Sequence, residues 1–274
     1  MCTLVAFHAV HPAAPLVVAA NRDEFHARAS LPPEVLHEVP RVVAGRDAEK
    51  GGTWLGVCSS GFFVGLTNQR EWAAKPQEAL RSRGDVTLEA LRRGSVDGVH
   101  ALLDTLDTRS LAGFNLLYGD GRSLHVAYAR PGERVERQAL PPGVHVLTND
   151  RLGSPHFPKA RRAERLARGA LAATCEAPLS GLLTRLESLL ADAELPPLEE
   201  VPEPPPGARV DRALARRLQA LCIETPVYGT VSATLLALAP GTVRAHRFAD
   251  GAPGRVPFVD VTGLHEGPPP PSRA

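Results

Sequence analysis

The sequence predicts an α+β fold in a single domain, with strands at both ends of the chain and helices mainly between them. At the N-terminus, Thr3 to Val10 and Leu16 to Ala20 are short, nearly continuous apolar runs separated by the Pro-bearing turn His-Pro-Ala-Ala-Pro. At the C-terminus, strand-sized runs return around Thr230 to Leu238, Val243 to Phe248 and Val256 to Val261. The segment between them carries helical spacing without the strict strand–helix alternation of a doubly wound sheet. Strands from the two chain ends are therefore expected to pair, with helices packed outside.

The elements follow in order. The second apolar run leads into Asn21-Arg22-Asp23-Glu24, a polar cluster read as leaving a buried strand, where sites tend to be built. Gly51 to Cys58, Ser59-Ser60-Gly61 and Phe62 to Asn68 read as a hairpin with a Gly-containing loop. Helical periodicity covers Val86 to Leu106, with a break at Gly94-Ser95. Strands are expected at Gly113 to Tyr118, Leu124 to Ala129 and Val144 to Asn149. Pro158 to Ala173, Leu179 to Ala191 and Arg212 to Cys222 read as helices, with a Pro-rich loop from Leu195 to Gly207. The domain is expected to span residues 1–264, and 265–274 to form a disordered Pro-rich tail.

Composition narrows the class of protein. With 31 Lys and Arg against 30 Asp and Glu, the net charge of +1 gives no reason to expect nucleic acid or an anionic membrane as partner. The stretch Met1 to Val10 has no Lys or Arg, and His8 and His11 interrupt its apolar run, so it does not read as a secretory signal. No run reaches the roughly 18 apolar residues of a membrane span, and a cytoplasmic location is expected. The Arg-rich face Arg161, Arg162, Arg165 and Arg168, beginning at Lys159, reads as a solvated helix surface rather than a nucleic-acid site.

Four cysteines, at 2, 58, 175 and 222, show no CxxC or zinc-ligand spacing, so no metal site is expected. Cys58, Cys175 and Cys222 have apolar neighbours and read as core residues. Cys2 differs, because removal of Met1 would leave it as an N-terminal amino-thiol. An α-amine titrates at about 7.7–8.0, far below lysine, so it can serve as general base for the thiol of its own residue. The remaining needs of acyl transfer are an acceptor for the amine and donors for an oxyanion. Arg22 and Asp23 could be returned alongside Cys2 by the first hairpin. Asn68 and Asn149 end apolar runs, in Gly-Leu-Thr-Asn and Val-Leu-Thr-Asn, and an amide both donates and accepts. Singly, each has a plainer explanation as a turn, a strand end or a local ion pair.

Met-Cys-Thr at the start, Ala-Asn-Arg-Asp-Glu at 20–24, Gly-Gly-Thr-Trp-Leu-Gly at 51–56 and Leu-Thr-Asn at 66–68 resemble the NRDE-motif family, also called the transport and Golgi organisation protein 2 family. Arg83-Gly84, Gly113-Phe114-Asn115-Leu116, Leu147-Thr148-Asn149, Pro155 with Lys159, and Tyr228-Gly229-Thr230 extend the resemblance over most of the chain. It implies an N-terminal-nucleophile hydrolase fold, a four-layer αββα sandwich, with a more distant similarity to choloylglycine hydrolases and penicillin acylases, which cleave amides with an N-terminal Cys. Carried over by position, it implies Cys2 as nucleophile and base, Arg22 and Asp23 orienting it, and Asn68, Asn149 and Thr230 binding oxyanion or substrate. The spacing of Asn-Arg-Asp differs from the acylase motif, and Val231 stands where the family usually has Arg.

Two functions follow from that resemblance. The first is a cysteine amidohydrolase acting on a small acylated molecule, with no cofactor required. The second is a non-catalytic carrier of haem or another hydrophobic ligand. For the carrier, His8, His26, His100, His125, His145 and His156 are the candidate axial ligands, and no haem-attachment Cys-x-x-Cys-His is present.

Overall fold

In the computed structural model, which describes residues 2–70, 81–174, 177–208 and 210–267, the chain builds two antiparallel sheets stacked face to face, each with a pair of helices on its outer side. In chain order the N-terminal half contains β1 (Thr3–His8), β2 (Leu16–Phe25), β3 (Ser30–Glu38), β4 (Arg41–Asp47), β5 (Leu55–Cys58) and β6 (Phe63–Asn68). Helices α1 (Arg83–Arg93) and α2 (Val96–Asp104) follow, then β7 (Phe114–Gly119), β8 (Leu124–Ala129), β9 (Glu136–Leu140) and β10 (Gly143–Leu147). The C-terminal part holds α3 (Pro158–Ala172), α4 (Leu179–Leu190), α5 (Arg212–Arg217), β11 (Tyr228–Ala239), β12 (Thr242–Ala249) and β13 (Val259–Asp260).

The first sheet runs β10-β1-β2-β11-β12-β13 and the second β3-β4-β5-β6-β7-β8-β9. The two ends of the chain meet as expected, since β2 pairs with β11 along ten residues of partnered register. Side chains alternate across a strand, so each central strand must bury both faces. On β2, Val17 and Ala19 pack toward α3 and α4, while Leu16, Val18 and Ala20 pack between the sheets. A third apolar layer, including Val64, Leu116, Leu91 and Leu102, joins the second sheet to α1 and α2. The result is the αββα sandwich.

Local chemistry sets the helix boundaries. Ser82 caps α1 by accepting from the Gly84 N–H, and Gly94 ends it at φ +64°, a conformation glycine adopts without cost. Ser95 then starts α2 by accepting from Gly98 N–H, which accounts for the expected break at Gly94-Ser95. The helix expected over Arg212 to Cys222 is a short one, α5, closed by turns. The strand expected over Val256 to Val261 is reduced to β13.

One sequence expectation is corrected in a way that matters. Asn21-Arg22-Asp23-Glu24 does not leave the strand but continues β2, because β11 supplies its backbone partners. The turn Thr262–His265 falls across the expected tail boundary, with His265 Nε2 3.0 Å from His246 Nδ1. Residues 268–274 and Cys175 lie outside the described residues.

Candidate functional site

The site forms where β1 begins. In the β1–β2 register Thr3 partners Asn21, so Cys2 lies beside Arg22. In the β1–β10 register Leu4 partners Leu147, and two residues further along Cys2 lies beside Asn149. Arg22 in turn partners Ser232 on β11. Asn149, Cys2, Arg22 and Ser232 therefore line up in one row, Cys2 just before β1 and Asn149 two residues past β10.

Cys2 opens into a narrow cleft between the sheets, lined by Leu4, Ala20, Arg22, Trp54 and Ser232 among others. Arg22 is almost fully buried there, its guanidinium 4.2 Å from the Trp54 ring centroid and donating to Ser30 Oγ at 3.2 Å. Trp54 reaches this position because its motif is tightly packed. A Cβ on Gly52 would sit 2.5 Å from the Gly84 carbonyl carbon, and one on Gly45 2.7 Å from the Trp54 ring. Gly-Gly-Thr-Trp and Arg83-Gly84 are thus two sides of one contact, sealed by Thr53 N–H donating to Gly84 O.

Asp23 follows Arg22 in sequence but faces the helix layer, by the alternation of the strand. Thr230 would point away from it on a regular β11. A β-bulge between Thr230 and Ser232 shifts the register by one and re-aims Thr230, whose hydroxyl donates to Asp23 Oδ1 at 2.7 Å and accepts from Ile223 N–H. Val231, where the resemblance leads one to expect Arg, is the bulged residue and is half-buried. Tyr228 Oη donates to the Asp23 carbonyl, and the intervening Gly229 is required because a Cβ would lie 2.6 Å from the Ile223 oxygen.

Lys159 entered the sequence reading as a motif residue beside Pro155 and as the start of an Arg-rich helix, with no site role assigned to it. Rather than a solvated helix face, it lies fully buried in the first turn of α3, its Nζ 3.8 Å from Asp23 Oδ2. Burial pushes the Lys159 ammonium below its ordinary value, Asp23 pulls it back up, Arg70 adds to the lowering and Cys2 opposes it. Burial raises the Asp23 carboxyl, against Lys159 and Thr230, which favour its charged form. Charge-separated or with the proton passed across, the pair is neutral overall. The neighbouring arginines do behave as surface groups, with Arg161, Arg162 and Arg168 paired to Glu200, Asp192 and Glu164.

The two Leu-Thr-Asn segments are brought together by Asn115. Its Nδ2 donates to Thr67 Oγ1 at 3.0 Å and approaches the Thr148 and Asp150 carbonyls at 3.3 and 3.2 Å. Thr67 Oγ1 donates to Thr148 O at 2.6 Å, and Asn149 Nδ2 donates to Asn68 O at 2.7 Å. Asn68 thus holds Asn149 through its backbone. Arg70 continues this edge, donating its N–H to Asn149 O and placing its guanidinium 4.1 Å from the Phe157 ring centroid. Its burial lowers the guanidinium to about 10, opposed by Asp150.

The buried polar atoms Asn149 Oδ1, Ser232 Oγ and Thr3 Oγ1 have no hydrogen-bond partner among the described residues. Of these, Ser232 lines the cleft with Cys2 and can engage a further polar molecule there. The other described thiols are structural: Cys58 donates to Leu91 O, and burial pushes Cys58 up to about 12 and Cys222 to about 11.

The candidate haem ligands do not converge on this cleft, which no histidine lines. His26 and His145 engage backbone carbonyls at 3.0 and 2.8 Å, His8 lies 3.4 Å from Pro141 O, His100 and His125 pack with Tyr118, and His156 is exposed. Among the described residues no group of three or more His, Cys, Asp or Glu could hold a metal ion, and no helix is long and apolar enough to cross a membrane.

The architecture is that of the N-terminal-nucleophile hydrolases. A mutant of the conjugated bile acid hydrolase from Clostridium perfringens superposes with a TM-score of 0.56 at 11% identity, covering 98% of this chain and 95% of that one. Penicillin V acylase from Agrobacterium tumefaciens gives 0.52 at 12% identity, covering 96% and 86%. Within that fold, the chain belongs to the Transport and Golgi organisation 2 family, whose model matches residues 1–244. Its relatives include the Transport and Golgi organization protein 2 homologs of Bos taurus, 29% identical, and Homo sapiens, 27% identical, each match covering 81% of both chains.

Proposed function

We propose that this protein is a cysteine N-terminal-nucleophile amidohydrolase that cleaves the C–N bond of a small acylated molecule. The observation that carries the reading is the row Asn149–Cys2–Arg22–Ser232, which places the second residue of the chain at a cleft, between an amide and a guanidinium, with Asp23 behind it. After Met1 removal the amine of Cys2 would lie beside Asp23 and Asn149 Oδ1, which can accept its N–H groups and orient it.

In the first half-reaction the amine takes the thiol proton as sulfur attacks the substrate carbonyl carbon. The free N–H of the Asn149 amide, the one not given to Asn68 O, stabilises the developing oxyanion. Collapse breaks the C–N bond, the ammonium of Cys2 returns its proton to the leaving amine, and a thioester remains. Water then attacks the thioester with the same amine as base, which releases the carboxylic acid and restores the thiol. Arg22, fixed against Trp54, lines the wall on which the substrate rests.

The test uses a panel of N-acylated small amides, with released amine as readout. Turnover by the untagged protein, lost on Cys2→Ala and on N-terminal extension with the fold intact by circular dichroism, is expected. Equal turnover by a folded Cys2→Ala protein would sink the proposal.

A further inference from the structure

We propose that Lys159 is a positioning residue for the amine of Cys2: by neutralising Asp23 from the first turn of α3, it lets that carboxylate orient the amine without holding a proton on it. The inference rests on the N-terminal-nucleophile reading above and assigns a role to a residue that does not line the cleft.

The problem it solves is electrostatic. A base must be unprotonated to act, and an α-amine near neutrality is poised only if its surroundings do not favour the ammonium. A lone buried carboxylate within about 4–6 Å would raise the amine by about 1–3 pH units, making it an ammonium across the neutral range. Asp23 is a buried carboxylate fixed by Thr230, one residue along β2 from Arg22, the neighbour of Cys2. Lys159 at 3.8 Å, with no exposed side-chain surface, supplies the compensating charge.

The placement of Lys159 is otherwise unfavourable. It lies one residue after Pro158, the first residue of α3, where the helix dipole already presents partial positive charge, and the cap residue Phe157 makes no side-chain hydrogen bond there. A lysine confined at that end needs an anion, and Asp23 is the one in reach. Arg22 on β2 and Arg70 after β6 are cations, Asp150 faces Arg70, and Glu24 is turned to Arg28 at 3.3 Å. On the β11 side the neutral hydroxyl of Thr230 donates to Asp23, and the Cys222 thiol lies close enough to feel its charge. Asp23 is the buried carboxylate beside this row, and Lys159 is the group paired to it.

The test titrates the amine directly, on a Cys2→Ala background so that no thiol competes. Intact mass first confirms Met1 removal in the untagged wild-type protein, and trace acetic anhydride labelling of the N-terminal peptide across pH then gives the amine midpoint. Lys159→Met is expected to raise the midpoint by about 1–3 pH units. Lys159→Arg is expected to leave it in place, and Asp23→Asn with Lys159→Met to return it to within about half a unit. A general loss of packing would not raise the midpoint and then restore it by a second substitution. If Lys159→Met does not fold, Asp23→Asn alone carries the test, with a midpoint below the parent expected and an unchanged or higher one overturning the inference. An unmoved midpoint in folded Lys159→Met overturns this inference alone, whereas retention of Met1 in the wild-type protein overturns the hydrolase reading with it. Absence of turnover with the predicted shifts in place leaves this inference standing and removes the catalytic one.

Discussion

Removing either partner of the Asp23–Lys159 pair should damage the fold more than removing both. At 3.8 Å, two unit charges attract by about 4 kcal/mol at an effective dielectric of about 20. Both side chains are withdrawn from water, so a single substitution leaves the survivor desolvated and uncompensated. Lys159→Met and Asp23→Asn are each expected to cost about 3–5 kcal/mol, whereas the double variant should lie within about 1–2 kcal/mol of wild type. The coupling in the double-mutant cycle is then at least about 4 kcal/mol. Equilibrium urea unfolding followed by circular dichroism and fluorescence would measure it, provided the two probes give coincident transitions. Single costs that simply add in the double variant would refute the claim that the two groups compensate each other.

Three further outcomes follow from the structure. Asn115→Ala removes the donor shared by Thr67, Thr148 and Asp150, and should cost about 1–3 kcal/mol in urea unfolding and lower any Cys2-dependent turnover at least tenfold as the Asn149 tip is released. Gly229→Ala forces a Cβ to within 2.6 Å of the Ile223 carbonyl oxygen and should cost about 1–3 kcal/mol, read as a lowered thermal midpoint. Burial, with His265 adding to it, pushes His246 down to about 3, and burial, with Arg41 adding, pushes His265 down to about 4. Because the unfolded chain binds more protons than the folded one between these values and about 6.5, stability should be full above pH 6.5 and fall on acidification. The loss attributable to His246 is up to about 1.4 kcal/mol per pH unit, and urea midpoints from pH 7 to 4.5 should show a shallower slope for His246→Phe.

Much of the sandwich could be read from the chain because its local signals agree with its tertiary structure. The first hairpin, the Gly61 turn between β5 and β6, the Gly94-Ser95 break and the cores of α3 and α4 all follow from apolar periodicity and turn chemistry. What escaped was set by partners distant in sequence. The run Asn21 to Glu24 looks like a loop because it is polar, and only its pairing with β11, some 200 residues on, makes it strand. Strands β3 and β4 gave no signal, since β3 is a sheet edge carrying Pro32 and Pro33 and exposing much of its length.

The site was half legible. Cys2, Arg22, Asp23, Asn149 and Thr230 do gather around the start of β1, with Asn68 holding Asn149 through its carbonyl. Lys159 was hidden among arginines whose spacing looks solvated, and its burial depends on where the start of α3 meets β2. Asn115 appeared only as part of a motif, and its three acceptors come from segments that are remote in sequence. The signal that could have found Lys159 is its place two residues inside a Pro-started helix, where a cation opposes the dipole and so requires an anion.

The most direct measurement is the intact mass of the untagged protein before and after a limiting dose of a thiol-directed electrophile, with the adduct then mapped. Cys58 and Cys222 are buried and have their thiols pushed far above neutrality, so neither should compete. Loss of Met1 and a single adduct on Cys2 ahead of the other thiols is the predicted result. Retained Met1, or preferential labelling of any other cysteine, would contradict an assembled N-terminal nucleophile.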